Sequence, residues 1–334
     1  MSNEPETSLR NRRRFLKYSG SLGASVFLSD WPAWAQDSQE TLRFGIIADV
    51  HKDIMHDADE RLLAFIQHMK KEQVDFIVQL GDFCVPKEAN KKFLNIWNSF
   101  SGPRFHVLGN HDTDGGYTRE QTVAWWKMPS RYYKFEQSGV QFIVLDGNDR
   151  PKNHSGGYPR FIEEDQLNWL RHQLEASELP IVVFVHQSLE REEKGGVQNG
   201  ADVRQILEEA NTKAGRRRVV ACFSGHHHRD YVRQINDIVY PQINSASYHW
   251  VGADFQHVRY SESIDQTHPY IKYTVPYKDA LFAIVTIDRA KSFMSIDGKR
   301  STFVGPAPWE IEHDRNYWDA PTLTPHISNW KMPV

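Results

Sequence analysis

The feature that most constrains the fold of this chain is a set of five apolar runs, each followed directly by a cluster of polar residues. The five runs are Leu42–Ala48, Phe76–Leu80, Phe105–Leu108, Ile181–Val185 and Val219–Ser224. Amphipathic helical patterns separate several of them; in Asp59–Lys71, for example, Leu62, Ile66 and Met69 fall on one face. Alternating strands and helices of this kind predict an α/β fold.

The last third of the chain has a different character. Apolar runs at 230–235, 238–243, 281–287 and 293–296 predict strands with few helices between them. Asn236-Asp237 between the first two is typical of a hairpin turn. The whole pattern predicts one α/β domain with two packed β-sheets and helices outside them. Two long segments, Gly147–Arg160 and Asp254–Tyr277, are expected to be irregular and to carry specificity.

The polar clusters that follow the strands carry the candidate chemistry. They contain Asp49 and His51; Asp82; Asn110, His111 and Asp112; His186; and His226, His227 and His228. Ligands bind beyond the carboxyl ends of strands in open α/β sheets, so the clusters are expected to meet at one edge. The donor set exceeds the needs of one metal, and mixed nitrogen and oxygen ligands suit Fe, Mn or Zn.

Two metal ions about 3.5–4 Å apart need a shared carboxylate, and Asp82 is the natural bridge because it stands alone in the middle of the set. Strand alternation would place Asp49 and His51 on one face, and likewise His226 and His228. His227 would then point away from the metals.

The order D-x-H, G-D, G-N-H-D, H, G-H-x-H, from Asp49 to His228, resembles the calcineurin-like metallophosphoesterases. The resemblance implies a four-layer αββα sandwich of two mixed sheets. It implies one metal held by Asp49, His51, Asp82 and His228, and a second held by Asp82, Asn110, His186 and His226. It further implies that a metal-bound hydroxide attacks phosphorus while His111 assists the leaving group. Asp112 is grouped with His111 among the catalytic residues, as an acid that does not bind metal but orients a neighbouring group.

Departures from the family pattern indicate which branch of the family this chain resembles. Phe83-Cys84-Val85 after Asp82 lacks the arginine of the protein-phosphatase branch, and the compact motifs are closer to bacterial phosphodiesterases. The interpretation is a metal-dependent hydrolase of small phosphorylated substrates, with monoesters and diesters both left open. The alternatives are a catalytically silent metal-binding scaffold of the same fold, and a hydrolase of amides or lactones. His111 favours an enzyme, since a scaffold needs no histidine beyond the ligand set.

Residues 1–35 are predicted to direct export. Arg12-Arg13-Arg14-Phe15-Leu16-Lys17 precedes a short uncharged stretch and then Ala33-Trp34-Ala35, a pattern that resembles a twin-arginine signal peptide. The resemblance implies the twin-arginine translocase as a partner during export, and a periplasmic or otherwise exported product. Residues 36–334 are then expected to form a single phosphoesterase domain.

Composition excludes several other classes of protein. The net charge of −3 is unsuited to the basic surface that general nucleic-acid binding requires. With only Cys84 and Cys222, the chain has no disulfide framework, although one bridge between them remains open. The uncharged stretch after Lys17 is too short for a membrane span, which needs about 20 apolar residues.

Overall fold

The computed structural model describes residues 41–312 and 320–334. The predicted signal segment, including Arg12 and Arg13, lies outside the described residues. No helix in the described part of the chain has the length and apolar character needed to cross a membrane.

Two six-stranded sheets form the centre of the fold. The first has the strand order β14 (Trp330–Pro333), β13 (Phe293–Gly298), β12 (Ala283–Asp288), β1 (Thr41–Ile47), β2 (Phe76–Gln79) and β3 (Arg104–His106). The second has the order β4 (Tyr133–Gln137), β5 (Val140–Val144), β6 (Ile181–Phe184), β7 (Val219–Phe223), β9 (Ile238–Gln242) and β8 (Tyr231–Ile235). A two-stranded sheet pairs β10 (Tyr248–Trp250) with β11 (Thr274–Pro276).

Both large sheets are mixed. In the first, β1, β2 and β3 run parallel and the remaining pairs are antiparallel. In the second, β5, β6, β7 and β9 run parallel, between antiparallel edge strands β4 and β8. The central strands β5, β6 and β7 are buried along their whole length, whereas edge strand β4 alternates buried and exposed positions. Continuous apolar runs of this type are expected where both faces of a sheet are covered.

The described residues contain six α-helices. They are α1 (Ala58–Glu72), α2 (Lys91–Asn98), α3 (Arg119–Trp126), α4 (Glu164–Glu175), α5 (Gly200–Ala214) and the short α6 (Glu262–Thr267). Helix α1 buries Leu62, Phe65 and Met69 in the main core, whereas α4 and α5 bury their apolar faces in a second cluster on the other side of β5–β7.

Aromatic rings join the two sheets face to face. Phe44 of β1 stacks on Phe76 at 4.8 Å between centroids and makes edge contacts with Phe142, Phe184 and Phe223 of the second sheet at 5.8–6.1 Å. Pairs of this geometry add about 0.5–1.5 kcal/mol each beyond the burial of their area. The order helix, sheet, sheet, helix confirms the predicted α/β fold with two packed mixed sheets flanked by helices.

The structure corrects one of the two predicted loops. Segment 254–277 is not irregular, because it contains α6, β11 and two 3-10 turns. Segment 147–160 has no helix or strand, although Asn148 and Asp149 bridge to Phe161. Asn236 and Asp237 have φ of 45° and 66° and join β8 to β9, as the hairpin prediction requires.

Candidate active site

The polar residues after the strands meet in two clusters at one edge of the two-sheet sandwich. Asp49, His51 and His228 form the first, with ligand atoms within 4.8 Å of one another. Within it, Nε2 of His228 lies 3.3 Å from Oδ1 of Asp49 and 3.2 Å from Nε2 of His51. All three residues are buried. Asp49 and His51 follow β1, and His228 follows β7 in the other sheet, so the first cluster spans both sheets.

Asp82, His186 and His226 form the second cluster. Nε2 of His186 lies 3.1 Å from Oδ2 of Asp82 and 3.3 Å from Nδ1 of His226. The same nitrogen lies 3.2 Å from Oδ1 of Asn110. The second cluster therefore brings together three loops, those after β2, β6 and β7, and Asn110 from the loop after β3.

The carboxylate of Asp82, a member of the second cluster, also faces the first. Its Oδ2 is 3.7 Å from Nε2 of His51 in the first cluster and 3.1 Å from Nε2 of His186 in the second. Its Oδ1 accepts a hydrogen bond from the backbone N–H of His111 at 2.8 Å. This hydrogen bond fixes the orientation of the carboxylate, with one oxygen facing both clusters, as a bridging ligand would require.

The candidate ligands share an uncommon backbone conformation. Twelve non-glycine residues in the described part of the chain have positive φ; Asp49, His51, Asp82, His226 and His228 are five of them, with φ of 50–74°. Left-handed conformations of this kind are strained, concentrate at functional sites and persist where the surroundings enforce them. Asp49 and His51 therefore share a cluster through a left-handed turn, and not through the strand alternation that the sequence analysis assumed.

Hydrogen bonds from neighbouring loops hold that turn. Ser245 donates to the carbonyl oxygen of Asp49 and Ser247 to that of Val50, both at 2.8 Å. The carboxylate of Asp49 also accepts from the backbone N–H of His226 at 3.0 Å. The loop after β9 thus supports the metal-ligand candidates, a contribution that was not predicted from the sequence.

The donor set fits divalent or trivalent metal ions. Burial lowers the pKa of His51 and of His226 well below its usual value, so both imidazoles are neutral and keep a lone pair for a metal. Nδ1 of His186 lies 2.7 Å from the carbonyl oxygen of Leu80, to which it donates, so Nε2 faces the cluster. Imidazole nitrogens that face one another at 3.2–3.3 Å, beside carboxylates, match the convergence expected around a shared cation.

Asp112 holds together two of the loops that carry the candidate ligands. Its buried carboxylate accepts hydrogen bonds from the backbone N–H groups of Gly109, Asp82, Phe83 and Cys84, at 2.7–3.1 Å. All four groups belong to the two loops that carry Asp82 and Asn110. Asp112 is therefore a positioning residue that ties these loops together, and its carboxylate faces backbone N–H groups and not the cavity. Its assignment to the catalytic residues stays a prediction.

The carboxylate that contacts His111 belongs to Asp114. Its Oδ2 is 2.6 Å from Nδ1 of His111, and its Oδ1 accepts a hydrogen bond from the Tyr158 hydroxyl at 2.7 Å. Burial alone would lower the pKa of His111, but the charge of Asp82 and the bond to Asp114 raise it to about 9. The sequence did not single out Asp114, whereas Tyr158 lies in segment 147–160, which was expected to carry specificity.

One cavity of about 800 Å³ opens over both clusters. Its floor includes His51, Asp82, His226 and His228, and His111 reaches into it. His227 also lines the cavity, but its Nε2 lies 2.8 Å from Oγ of Ser188 and it belongs to neither cluster. Cys84 and Cys222 are both free and buried.

A two-sheet α/β sandwich with paired His–Asp clusters below one cavity defines the class of metal-dependent phosphoesterases. The model of the family described as calcineurin-like phosphoesterase matches residues 42–230, which include both clusters. The chain belongs to this family, and its membership agrees with the class of enzyme predicted from the motifs.

Solved structures of distant proteins share the fold. A dimetal phosphatase from Danio rerio aligns with a TM-score of 0.57 and 16% identity, over 79% of this chain and 98% of that chain. GAP50, the anchor in the inner membrane complex of Plasmodium, aligns with a TM-score of 0.52 and 20% identity, over 79% of this chain and 85% of that chain. At identities of 16% and 20%, these alignments show a shared fold and nothing about activity.

A curated relative is similar over a shorter stretch. The manganese-dependent ADP-ribose/CDP-alcohol diphosphatase of Arabidopsis thaliana is 34% identical over 87 residues, which is 22% of this chain. The match spans 27% of that relative's length.

Proposed function

We propose that this protein is a two-metal hydrolase of phosphate esters. One observation carries the proposal: the predicted ligands form two clusters that share Asp82, on the floor of a cavity into which His111 projects. Asp49, His51, Asp82 and His228 would hold one ion, and Asp82, Asn110, His186 and His226 the other. When bound, the two ions stabilise charge on the phosphoryl oxygens and bring the pKa of water toward neutrality.

The residues of the chain itself position the substrate and move a proton. Because Nδ1 of His111 donates to Asp114, its Nε2 is the ring nitrogen that can face the substrate. We propose that Nε2 donates a proton to the leaving oxygen, a role that contributes roughly 10²–10⁴-fold when the leaving group is poor. Asp114 acts through His111, and Tyr158 acts through Asp114.

Manganese is our first choice of metal, with iron and zinc as the alternatives. The mixed nitrogen and oxygen donors suit all three, and the relative from Arabidopsis is described as manganese-dependent. That relative is also described as a diphosphatase of ADP-ribose and CDP-alcohols, so disubstituted diphosphates belong in the substrate panel beside monoesters and diesters.

The test measures metal content and turnover together. Wild-type protein loaded with Mn²⁺ is expected to hold two ions per chain and to hydrolyse p-nitrophenyl or bis-p-nitrophenyl phosphate. His111→Ala should keep both ions, because no ligand is removed, and should lose turnover of alkyl esters much more than turnover of nitrophenyl esters, whose leaving group needs little protonation. Two bound ions without turnover of any ester in the panel would favour the silent scaffold, and turnover that survives chelation would contradict a metal-dependent reaction.

We further propose that the protein is exported by the twin-arginine route. Support comes from the sequence alone, in the Arg12-Arg13 pair and the short uncharged stretch after Lys17. Replacing both arginines by lysine keeps the charge but removes the guanidinium groups. The Arg12→Lys/Arg13→Lys variant should accumulate as cytoplasmic precursor, whereas Arg10→Lys, a matched control outside the pair, should be exported normally. Equal export of both variants would contradict this route.

A further inference from the structure

The exposed apolar side chains are concentrated at one place. Six large apolar side chains are exposed in the described part of the chain, and three of them, Tyr158, Trp250 and Tyr270, line the cavity above the metal-ligand candidates. Trp250 is 43% exposed and Tyr270 is 57% exposed. Exposed aromatic residues inside a cavity are typical of a ligand-binding site.

Aromatic rings connect this part of the cavity to the first cluster. Tyr248 is buried and stacks on His51, with centroids 4.9 Å apart and planes 30° apart. The Trp250 ring follows at 6.4 Å from that of Tyr248. Tyr273 then contacts both Trp250, at 6.0 Å, and Tyr270, at 6.1 Å. We name Tyr248, Trp250 and Tyr270 the aromatic wall, because all three line the cavity.

The charges around the cavity limit what it can accept. Neither lysine nor arginine occurs among the described residues that line it, and two lining carboxylates, Asp53 and Asp114, lie outside the clusters. Asp53 pairs with Lys87 and Asp114 with His111, so phosphate groups distant from the metal ions would find no free lysine or arginine in the lining to bind them. The lining thus disfavours substrates with several phosphates beyond the reacting one and accommodates an uncharged, flat group.

We propose, on the basis of the proposed function, that the aromatic wall binds a planar aromatic group on one arm of a phosphate diester. A diester carries a single negative charge at the reacting phosphorus, which the two ions and His111 suffice to balance. Its second arm would extend from the reacting phosphorus along Tyr248 toward Trp250. Stacking tolerates any flat ring, so the site selects planar aromatic groups as a class.

The arm in the wall is the one that does not leave. The wall begins where Tyr248 stacks on His51, and the proposal assigns the leaving oxygen to the neighbouring His111 with its partners Asp114 and Tyr158. Hydrolysis breaks the bond from phosphorus to the oxygen beside His111, and water supplies the new oxygen on phosphorus. The group in the wall stays attached to the phosphate monoester product.

The test compares two diesters with the same leaving group. Bis-p-nitrophenyl phosphate and methyl p-nitrophenyl phosphate both release p-nitrophenol, but only the first retains an aromatic arm. The Mn²⁺-loaded wild type should have the higher kcat/KM for the first. Trp250→Ala should lower kcat/KM for bis-p-nitrophenyl phosphate about tenfold, mainly by raising KM. The same variant should change kcat/KM for methyl p-nitrophenyl phosphate less than about twofold.

A matched control comes from Trp309, which is 47% exposed but does not line the cavity. Trp309→Ala should leave both values unchanged, and melting temperature and metal content should confirm that each variant is folded and loaded. Equal losses on both diesters, no loss on either, or a wild-type preference for the methyl diester would overturn the aromatic subsite alone. Absence of turnover with every ester would overturn the proposed function and this inference with it.

Discussion

His111 and Asp114 form a close pair in which Nδ1 of the imidazole lies 2.6 Å from Oδ2 of the carboxylate. The Tyr158 hydroxyl donates to the other carboxylate oxygen and lies 3.1 Å from the same Nδ1. A carboxylate on one ring nitrogen fixes the tautomer and the orientation of a histidine, so the other nitrogen is presented to the cavity. Segment 147–160, which carries Tyr158, is thereby linked to the proposed proton donor.

Asp114→Asn should weaken catalysis without removing metal. The amide is a poorer acceptor and can present its NH₂ group to Nδ1, so the ring loses its fixed orientation. We expect turnover of a diester with an alkyl leaving group to fall about tenfold, and that of a nitrophenyl diester to fall about twofold, because nitrophenolate needs little protonation. Steady-state kinetics on the two substrates, with a metal assay, provide the measurement.

Asp53→Asn is the matched control. Asp53 also lines the cavity, but its carboxylate pairs with Lys87 at 2.6 Å and accepts from Asn90, and it does not contact His111. In this control, the ratio of turnover of the alkyl diester to turnover of the nitrophenyl diester should stay at its wild-type value. The same ratio in Asp114→Asn as in wild type would mean that Asp114 does not act through His111.

The difference between Asp112 and Asp114 shows where the sequence stops being informative. Both are aspartates close to His111, and the motif contains only the first. The 3-10 turn Asn110–Thr113 directs the Asp112 carboxylate back to the backbone N–H groups and leaves Asp114 beside the imidazole ring. Which of the two aspartates contacts His111 depends on backbone dihedrals and on Tyr158, which lies 44 residues further along the chain than Asp114. A local sequence pattern contains neither.

The convergence of the ligands could be predicted because it follows from topology. Parallel strands such as β1 and β2, or β6 and β7, end at a common edge, so residues that directly follow them meet there. The left-handed conformation of Asp49 and His51 could not be predicted, since neither is glycine and the turn depends on Ser245 and Ser247. The aromatic wall could be predicted only in part: Tyr270 lies in segment 254–277, which was expected to carry specificity, whereas the position of Tyr248 and Trp250 depends on the pairing of β10 with β11.

Asp82→Ala should remove both metal ions, because its carboxylate faces both clusters. His51→Ala should chiefly weaken the ion held with Asp49 and His228, because His51 belongs to the first cluster alone. Metal analysis after dialysis against graded concentrations of free Mn²⁺ distinguishes the two variants. Full occupancy by two ions in Asp82→Ala would rule out the bridging position.

Gly109→Ala should damage the metal site through Asp82. A Cβ atom at this position would lie 2.2 Å from both the backbone nitrogen and Oδ1 of Asp82, atoms that the surrounding hydrogen bonds hold in place. We expect a loss of about 1–3 kcal/mol in the free energy of unfolding, together with weaker binding of both ions. Denaturant unfolding and metal titration provide the two measurements.

Gly45→Ala offers a comparison inside β1. Its Cβ would lie 2.2 Å from Sδ of Met69, which belongs to a flexible side chain on α1 and not to the metal site. This variant should lose stability but bind both ions normally. Normal metal binding by Gly109→Ala would show that the loop after β3 shifts without disturbing Asp82.

His106 should make stability fall in acid. Its ring is buried against Trp97 and Trp126, and this burial, with a smaller effect of Arg104, lowers the pKa of His106 from 6.5 to about 3. The folded protein therefore keeps His106 neutral, whereas the unfolded chain takes up a proton below pH 6.5. The stabilisation of the folded state that His106 provides is complete above pH 6.5, and it declines by about 1.4 kcal/mol per pH unit as the pH falls toward 3.

His106→Phe provides the test, because its unfolded chain has no imidazole at this position to take up a proton. Protonation of the other histidines affects both proteins alike. Denaturant unfolding between pH 6.5 and 4.5 should therefore give a shallower slope for the variant, and equal slopes would show that His106 titrates alike in both states.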